Sequence, residues 1–223
     1  MKVFAVIALA SVAVALPNCD IQAVDMCLTK VIPYANRTSV GATSQAIEEE
    51  CKKDREAVKC LQDYAESGCL KGDALKAYRH LVSGVAGESA LRCQPGTERY
   101  DEYLSYVPCT NKAGEGLNRC LRQTSAYIEA AKTAGGTGRL PQTCCSFTKL
   151  ALCFDEAIGD KCDQKTIDYL RSVQKGIFGM FLDAQCGAYN LNSEKCKALP
   201  VLPAGEPKYT TLFGPLLEFL TSQ

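Results

Sequence analysis

The sequence predicts an all-α, disulfide-rich protein made of two tandem three-helix repeats and an amphipathic C-terminal tail. Three observations support this fold class. Apolar residues recur at helical spacing, whereas strand-like alternation is scarce. The chain has 14 cysteines, an even number that can pair completely. Five cysteines of the first half recur 93 positions later in the second half, at Cys27/Cys120, Cys51/Cys144, Cys60/Cys153, Cys69/Cys162 and Cys93/Cys186.

The N-terminal segment 1–15 has the pattern of a secretory signal peptide. Lys2 supplies a positive charge, residues 3–12 are apolar, and small residues at 13–15 form a cleavage site. The apolar run is short for a membrane span. We therefore expect a secreted, extracellular protein without a membrane span. The domain boundaries that follow are 16–98 for the first repeat, 99–198 for the second, and 199–223 for a Pro-rich linker and tail.

Each repeat is predicted to contain three helices. In the first repeat, apolar residues at helical spacing place helices near 20–34, 44–67 and 73–91. In the second repeat, the counterparts of the first and third helices lie near 116–133 and from Asp163 onward. The number of helices agrees with the cysteine repeat, so both patterns indicate a duplicated helical unit.

Helix geometry restricts the pairing of the cysteines. The helix at 73–91 is about 28 Å long at 1.5 Å per residue, so the cysteines that flank it, Cys69 and Cys93, cannot bridge each other. In an antiparallel hairpin, the end of that helix returns to Cys51. Cys60 lies nine residues after Cys51 and faces the other way, toward Cys27 on the first helix. Cys19 is left to pair with Cys69.

The same scheme, shifted by 93 positions, predicts the bridges of the second repeat. Cys109 takes the place of Cys19, and the unmatched Cys145 and Cys196 form an additional bridge. Six cysteines allow fifteen connectivities, so the scheme is a hypothesis based on helix geometry. The seven predicted bridges are Cys19–Cys69, Cys27–Cys60, Cys51–Cys93, Cys109–Cys162, Cys120–Cys153, Cys144–Cys186 and Cys145–Cys196.

The C-terminal tail is the segment with the clearest pattern of apolar contact. After a Pro-rich linker at 200–207, apolar residues line one face of a short predicted helix. This face could contact a partner, a lipid or a second copy of the chain, or it could fold back and complete the core. The candidate contact residues are Leu212, Phe213, Leu216, Leu217 and Leu220.

Charge and residue types argue against several functional classes. The chain carries 25 basic and 25 acidic residues, so it has no electrostatic reason to bind nucleic acid. No CxxC pair occurs and His80 is the sole histidine, so we predict no metal site and no cofactor. The counterpart of His80 in the second repeat is Val173, which favours a packing role. We therefore expect no catalytic residues and no enzymatic activity.

A glycosylation signal lies in the loop predicted between the first two helices. Asn36-Arg37-Thr38 is an N-x-Ser/Thr sequon, which accepts a glycan in secreted proteins when it is exposed. Asn36 is therefore the predicted glycosylation site.

The signal peptide, the regular step of Cys51, Cys60 and Cys69, and the flanking spacings of 23 residues resemble cysteine-rich secreted helical domains of invertebrates. These include a nematode extracellular domain of unknown function and the insect haemolymph glycoprotein family. The second repeat departs from that pattern by its additional Cys145 and Cys196. The resemblance implies secretion and a helical disulfide fold rather than an activity.

These observations favour a secreted, non-enzymatic binding or structural protein of the extracellular space. Its partner is an unknown extracellular protein or an apolar ligand. One alternative is a carrier that holds an apolar small molecule or lipid between its helices. Another is a venom or salivary effector on the same stable scaffold. The sequence specifies neither the ligand nor the oligomeric state.

Overall fold

The computed structural model describes residues 19–189 and 193–222, and every regular element in these ranges is helical. The predicted signal peptide, 1–15, lies outside the described residues. Short 3-10 turns lie between α5 and α6 and between α6 and α7. The α-helices are α1 (Ile21–Val31), α2 (Ser44–Glu66), α3 (Gly72–Arg92), α4 (Glu98–Lys112), α5 (Gly114–Ala130), α6 (Arg139–Ile158), α7 (Gln164–Gln185), α8 (Glu194–Lys197) and α9 (Phe213–Thr221). The prediction of an all-α, disulfide-rich fold is therefore confirmed.

Six of these helices form the duplicated unit. α1, α2 and α3 belong to the first repeat, and α5, α6 and α7 are their counterparts. Polar side chains cap several of them, since the first backbone N–H groups of a helix have no partner within it. Asp20 accepts a hydrogen bond from the backbone N–H of Gln22 at 2.9 Å. Asp163 accepts one from Thr166, also at 2.9 Å, which sets the start of α7.

Helix α4 joins the two repeats and was not predicted. It follows the N-cap Thr97 and contains Pro108, which cannot donate a backbone hydrogen bond. A proline within a helical pattern normally indicates a break, so the local pattern alone does not predict a helix across this segment. α4 packs against α3 and α7 and carries Cys109. The segment 99–198 therefore contains one long helix more than the three predicted.

Seven disulfides join all 14 cysteines, and they are the seven pairs expected from helix geometry. Their Cα–Cα separations of 5.4–6.4 Å lie in the usual range. Cys51–Cys93 and Cys144–Cys186 are counterparts at the same position of each repeat. The adjacent Cys144 and Cys145 bond to different elements, because Cys145 reaches Cys196 on α8.

The repeats associate through their equivalent third helices, α3 and α7. Gly84 lies at the closest approach, where a Cβ atom would overlap the carbonyl group of Ile177. Ile177 is the counterpart of Gly84 after the shift of 93 positions. Contact between equivalent positions is the hallmark of a two-fold interface, so the two repeats pack as the subunits of a symmetric dimer would.

Helix α9 fills the space between the repeats. It contacts α1 and its counterpart α5, and it also reaches α3. The five apolar tail residues, for which either an external contact or a place in the core was open, are at most 3% exposed and belong to a core shared by both repeats. The tail thus folds back and completes the core, and the alternative of an exposed contact face for Leu212, Phe213, Leu216, Leu217 and Leu220 is wrong. An apolar stripe of this size is buried because its exposure to water is unfavourable.

Two carboxylates hold the polar backbone that enters α9. Asp25 on α1 accepts hydrogen bonds from the backbone N–H groups of Thr210 at 2.8 Å and Thr211 at 3.0 Å. Glu129 on α5 accepts bonds from the N–H groups of Lys208 at 2.9 Å and Tyr209 at 3.2 Å. Burial raises the pKa of Asp25, while the hydrogen bonds from the tail oppose that rise. These contacts satisfy donors that the buried tail would otherwise leave unpaired.

We expect Gly84→Ala to lower the free energy of unfolding by about 1–3 kcal/mol, because the added methyl group overlaps backbone in a close-packed contact. Gly87→Ala is the matched control, since a Cβ atom there meets nothing within 4 Å. It should stabilise α3 by about 0.5–1 kcal/mol. Guanidinium unfolding of the oxidised protein measures both changes. Equal effects of the two substitutions would show that α3 and α7 are not in close contact.

We expect Asp25→Ala to lower the free energy of unfolding by about 2–4 kcal/mol, because it leaves buried donors of the tail without an acceptor. Glu48→Ala removes an exposed carboxylate from α2 and should change stability by less than about 0.5 kcal/mol. Thermal and guanidinium unfolding followed by circular dichroism provide the measurement. A loss no larger than that of Glu48→Ala would contradict the anchoring role of Asp25.

Candidate ligand-binding groove

A groove with a volume of about 820 Å³ lies between α6 and α7 of the second repeat. This volume falls within the range of small-molecule sites in proteins. α6 packs mainly on α5, and α7 packs mainly on α3, so α6 and α7 contact each other less extensively than α2 and α3 do. The apolar and aromatic residues that line the groove are Phe147, Ala151, Leu152, Leu182 and Tyr189.

Comparison with the first repeat explains why this groove is open. At the corresponding interface of α2 and α3, Tyr78 and Leu81 are fully buried, and the Tyr78 hydroxyl donates a hydrogen bond to the Leu61 carbonyl at 3.0 Å. The counterparts of Tyr78 and Leu81 are Arg171 and Gln174. Burial of a charged or amide side chain without a partner is unfavourable. The second repeat therefore lacks the apolar contact that Tyr78 and Leu81 make in the first, although Phe147 of α6 packs on Phe178 of α7 with ring centroids 5.1 Å apart.

The groove is bounded at both ends. The Cys144–Cys186 disulfide joins α6 to α7 at one end. At the other end, Arg171 Nε and Asp155 Oδ1 are 3.2 Å apart, and a second guanidinium nitrogen lies 2.5 Å from Asp155 Oδ2. From Arg171 to Cys186 the helix advances about 22 Å. The two links define an elongated groove with a covalent end and a charged end.

The middle of the groove is wide because of its small and apolar side chains. Leu152 is 63% exposed on α6, although it is a large hydrophobic residue. Gly179 on α7 also lines the groove and presents no side chain, and a Cβ atom placed there would meet only Lys175 at an ordinary contact distance of 3.5 Å. The exposed Leu152 and the vacant position at Gly179 together make the apolar surface accessible to a ligand.

The polar groups of the groove differ in whether they have partners. Arg171 is engaged by Asp155, and this contact raises the pKa of the guanidinium. Within the described ranges, Lys175 and Asp183 form no ion pair. The side-chain Nε2 of Gln174 is buried and lacks a hydrogen-bond partner among the described residues. A ligand that offers an acceptor would satisfy this donor.

Cys51, Asp54 and Cys93 form a cluster whose potential ligand atoms lie within 4.8 Å of one another, as close together as the ligands of a metal site. Its donors do not suit a metal, because the two sulfurs form a disulfide and are not thiolates. The carboxylate of Asp54 binds Arg92 and Ser89 instead. The cluster is therefore a buried structural network beside a disulfide.

The other residues noted in the sequence lie away from the groove. Asn36 is exposed in the loop between α1 and α2, where a glycan could attach, and its glycosylation stays a prediction. His80 is half-buried on α3, and its Nδ1 has no hydrogen-bond partner among the residues described. The groove itself was not predicted. Its signal was the replacement of buried Tyr78 and Leu81 by polar residues in the second repeat, which becomes visible when the repeats are aligned.

Comparison with known proteins identifies a family but no function. The profile of a family described as protein of unknown function (DUF1397) matches residues 5–182, well over half of the chain. No curated protein and no solved structure matches the sequence. No helix within 19–189 and 193–222 is long and apolar enough to cross a membrane.

We expect alanine substitutions at equivalent positions of the two repeats to have very different effects. Tyr78→Ala should lower the free energy of unfolding by about 3–5 kcal/mol, because it leaves a cavity in a closed interface. Arg171→Ala should cost less than about 1 kcal/mol, because it removes an exposed ion pair beside an open groove. Guanidinium unfolding measures both. Similar losses at the two positions would contradict the different packing of the two repeats.

Proposed function

The chain belongs to the DUF1397 family of proteins of unknown function, and we propose that it is a secreted, non-enzymatic extracellular protein that carries an apolar small molecule in the groove between α6 and α7. The observation that carries this proposal is the groove itself. It has the volume of a ligand site, an apolar middle and a few polar groups without partners.

The disulfide content supports the extracellular part of the proposal. Seven disulfides in a compact helical domain are typical of an oxidising compartment. The resemblance to the insect haemolymph glycoproteins and to the nematode extracellular domain fits the same environment. We include in this proposal the signal peptide at 1–15 and secretion of the protein.

Two features favour a carrier over a catalyst or an assembly protein. His80, the sole histidine of the chain, lies outside the groove lining, so the groove has no imidazole to act as a general base. The tail, which could have mediated self-association, is buried within the chain itself. The groove remains as an apolar surface that the described residues of the chain leave accessible.

Gly179→Leu tests the proposal by filling the groove. The new side chain starts from a position with ordinary contact distances and projects into the ligand volume, so we expect the protein to fold and to lose binding. Gly87→Leu is the matched control, an equivalent change on an open surface of α3. Both replace a helical glycine and should raise helix stability by up to about 1 kcal/mol.

The measurement is native mass spectrometry of the secreted protein, combined with titration of a fluorescent long-chain probe. The wild type and Gly87→Leu should carry or take up one apolar molecule, and Gly179→Leu should take up none. Binding that persists unchanged in folded Gly179→Leu would place the ligand elsewhere. A wild type that binds no apolar probe would overturn the carrier function.

A further inference from the structure

We propose that the ligand of the groove is a single-headed amphipathic acid, with its carboxylate at Lys175 and Gln174 and its apolar chain along α6 and α7. This inference rests on the proposed carrier function and names the chemical class of its ligand.

Lys175 carries a positive charge that no described carboxylate neutralises. Arg171 lies one helical turn before it and is neutralised by Asp155 through two hydrogen bonds. Lys175 is exposed at the groove and has no carboxylate within 4.0 Å in the described part of the protein. Its counterpart in the first repeat is Val82, which is buried in the core. The second repeat therefore places a free cation where the first has an apolar contact, and an anionic head would pair with it.

The side-chain amide of Gln174, the residue next to Lys175, offers a second polar contact to the carboxylate of the ligand. Gln174 lines the groove, and its Nε2 is buried and makes no hydrogen bond with any described residue. An N–H donor buried without an acceptor is unfavourable, and a carboxylate oxygen is a strong acceptor for it. The corresponding residue of the first repeat, Leu81, has no polar group. Lys175 and Gln174 thus supply a charge and a directed donor at the same end of the groove.

The position of Asp183 limits the ligand to one acidic head. Asp183 also lines the groove without an ion-pair partner in the described residues, and it lies eight residues beyond Lys175, or about 12 Å along α7. A second carboxylate at that distance would meet a like charge. Between the two, Leu152 and Leu182 offer apolar surface to a chain.

The test compares three probes of equal chain length, palmitate, 1-hexadecanol and hexadecanedioate, by isothermal titration calorimetry on the delipidated full chain. Palmitate should bind about tenfold or more tightly than hexadecanol, as expected for a charged hydrogen-bonded contact. Hexadecanedioate should bind more weakly than palmitate, because the described groove lining offers no second unpaired cation to its other carboxylate and Asp183 adds a like charge.

Variants separate the head contact from the apolar contact. Lys175→Val, which introduces the residue of the first repeat, should bring the affinity for palmitate down to about that for hexadecanol. Lys175→Arg should retain the preference, and Gln174→Leu should reduce it. Lys165→Val is the control, since Lys165 is an exposed residue at the start of α7 outside the groove lining. Circular dichroism of each variant verifies that it is folded.

The outcomes distinguish the two proposals. Equal binding of palmitate and hexadecanol by the wild type, or an undiminished preference in folded Lys175→Val, would overturn the acidic ligand and leave the carrier function in place. Tightest binding of hexadecanedioate would overturn the single head. Failure of all three probes to bind would overturn the carrier function together with this inference.

Discussion

The burial of α9 between α1 and α5 is the contact on which the rest of the structure depends. The repeats meet directly along α3 and α7. Their first helices, α1 and α5, both pack against α9, which belongs to a tail without a counterpart in the duplication. The leucines and phenylalanines of α9 complete one core that includes residues of both repeats. Burial of those side chains supplies the hydrophobic stabilisation, while Asp25 and Glu129 satisfy the backbone that precedes the helix. Apolar packing and polar satisfaction thus act on the same segment.

The two repeats have equivalent disulfides but differ in the side chains that lie between the helices those disulfides join. Cys51–Cys93 and Cys144–Cys186 join equivalent helices, and a disulfide requires only that two backbones approach. The side chains between those helices are free to change as long as the bridge holds them together. In the first repeat they form a closed interface around Tyr78, and in the second they leave a groove. The disulfides stabilise the second repeat by a means that does not require a full apolar interface, which allows a ligand site to form there.

Much of the fold was predictable from local patterns, and most of the groove was not. The repeat helices follow from apolar spacing, and the disulfides follow from helix length and rotation, because both are properties of one or two neighbouring segments. α4 was missed because Pro108 contradicts a local rule, although packing against α3 and α7 stabilises the helix around it. The groove was missed because it depends on how far α6 stands from α7, a distance that no single segment specifies. Arg171, Gln174 and Lys175 resemble ordinary surface residues of an amphipathic helix until the neighbouring helix is in view.

The amino-acid sequence by itself determined the helical class, the duplication and the seven cysteine pairs, because periodicity and cysteine spacing constrain the chain over short distances or by exact repetition. Only the tertiary structure decided where the apolar face of α9 goes and where the protein leaves apolar surface accessible. The same apolar stripe is compatible with burial against a partner, a lipid or the protein's own core. Burial in the core requires that α1 and α5 leave a space of matching shape between them. The position of Lys175 beside an open groove likewise depends on the separation of two helices, which packing against α3 and α5 sets.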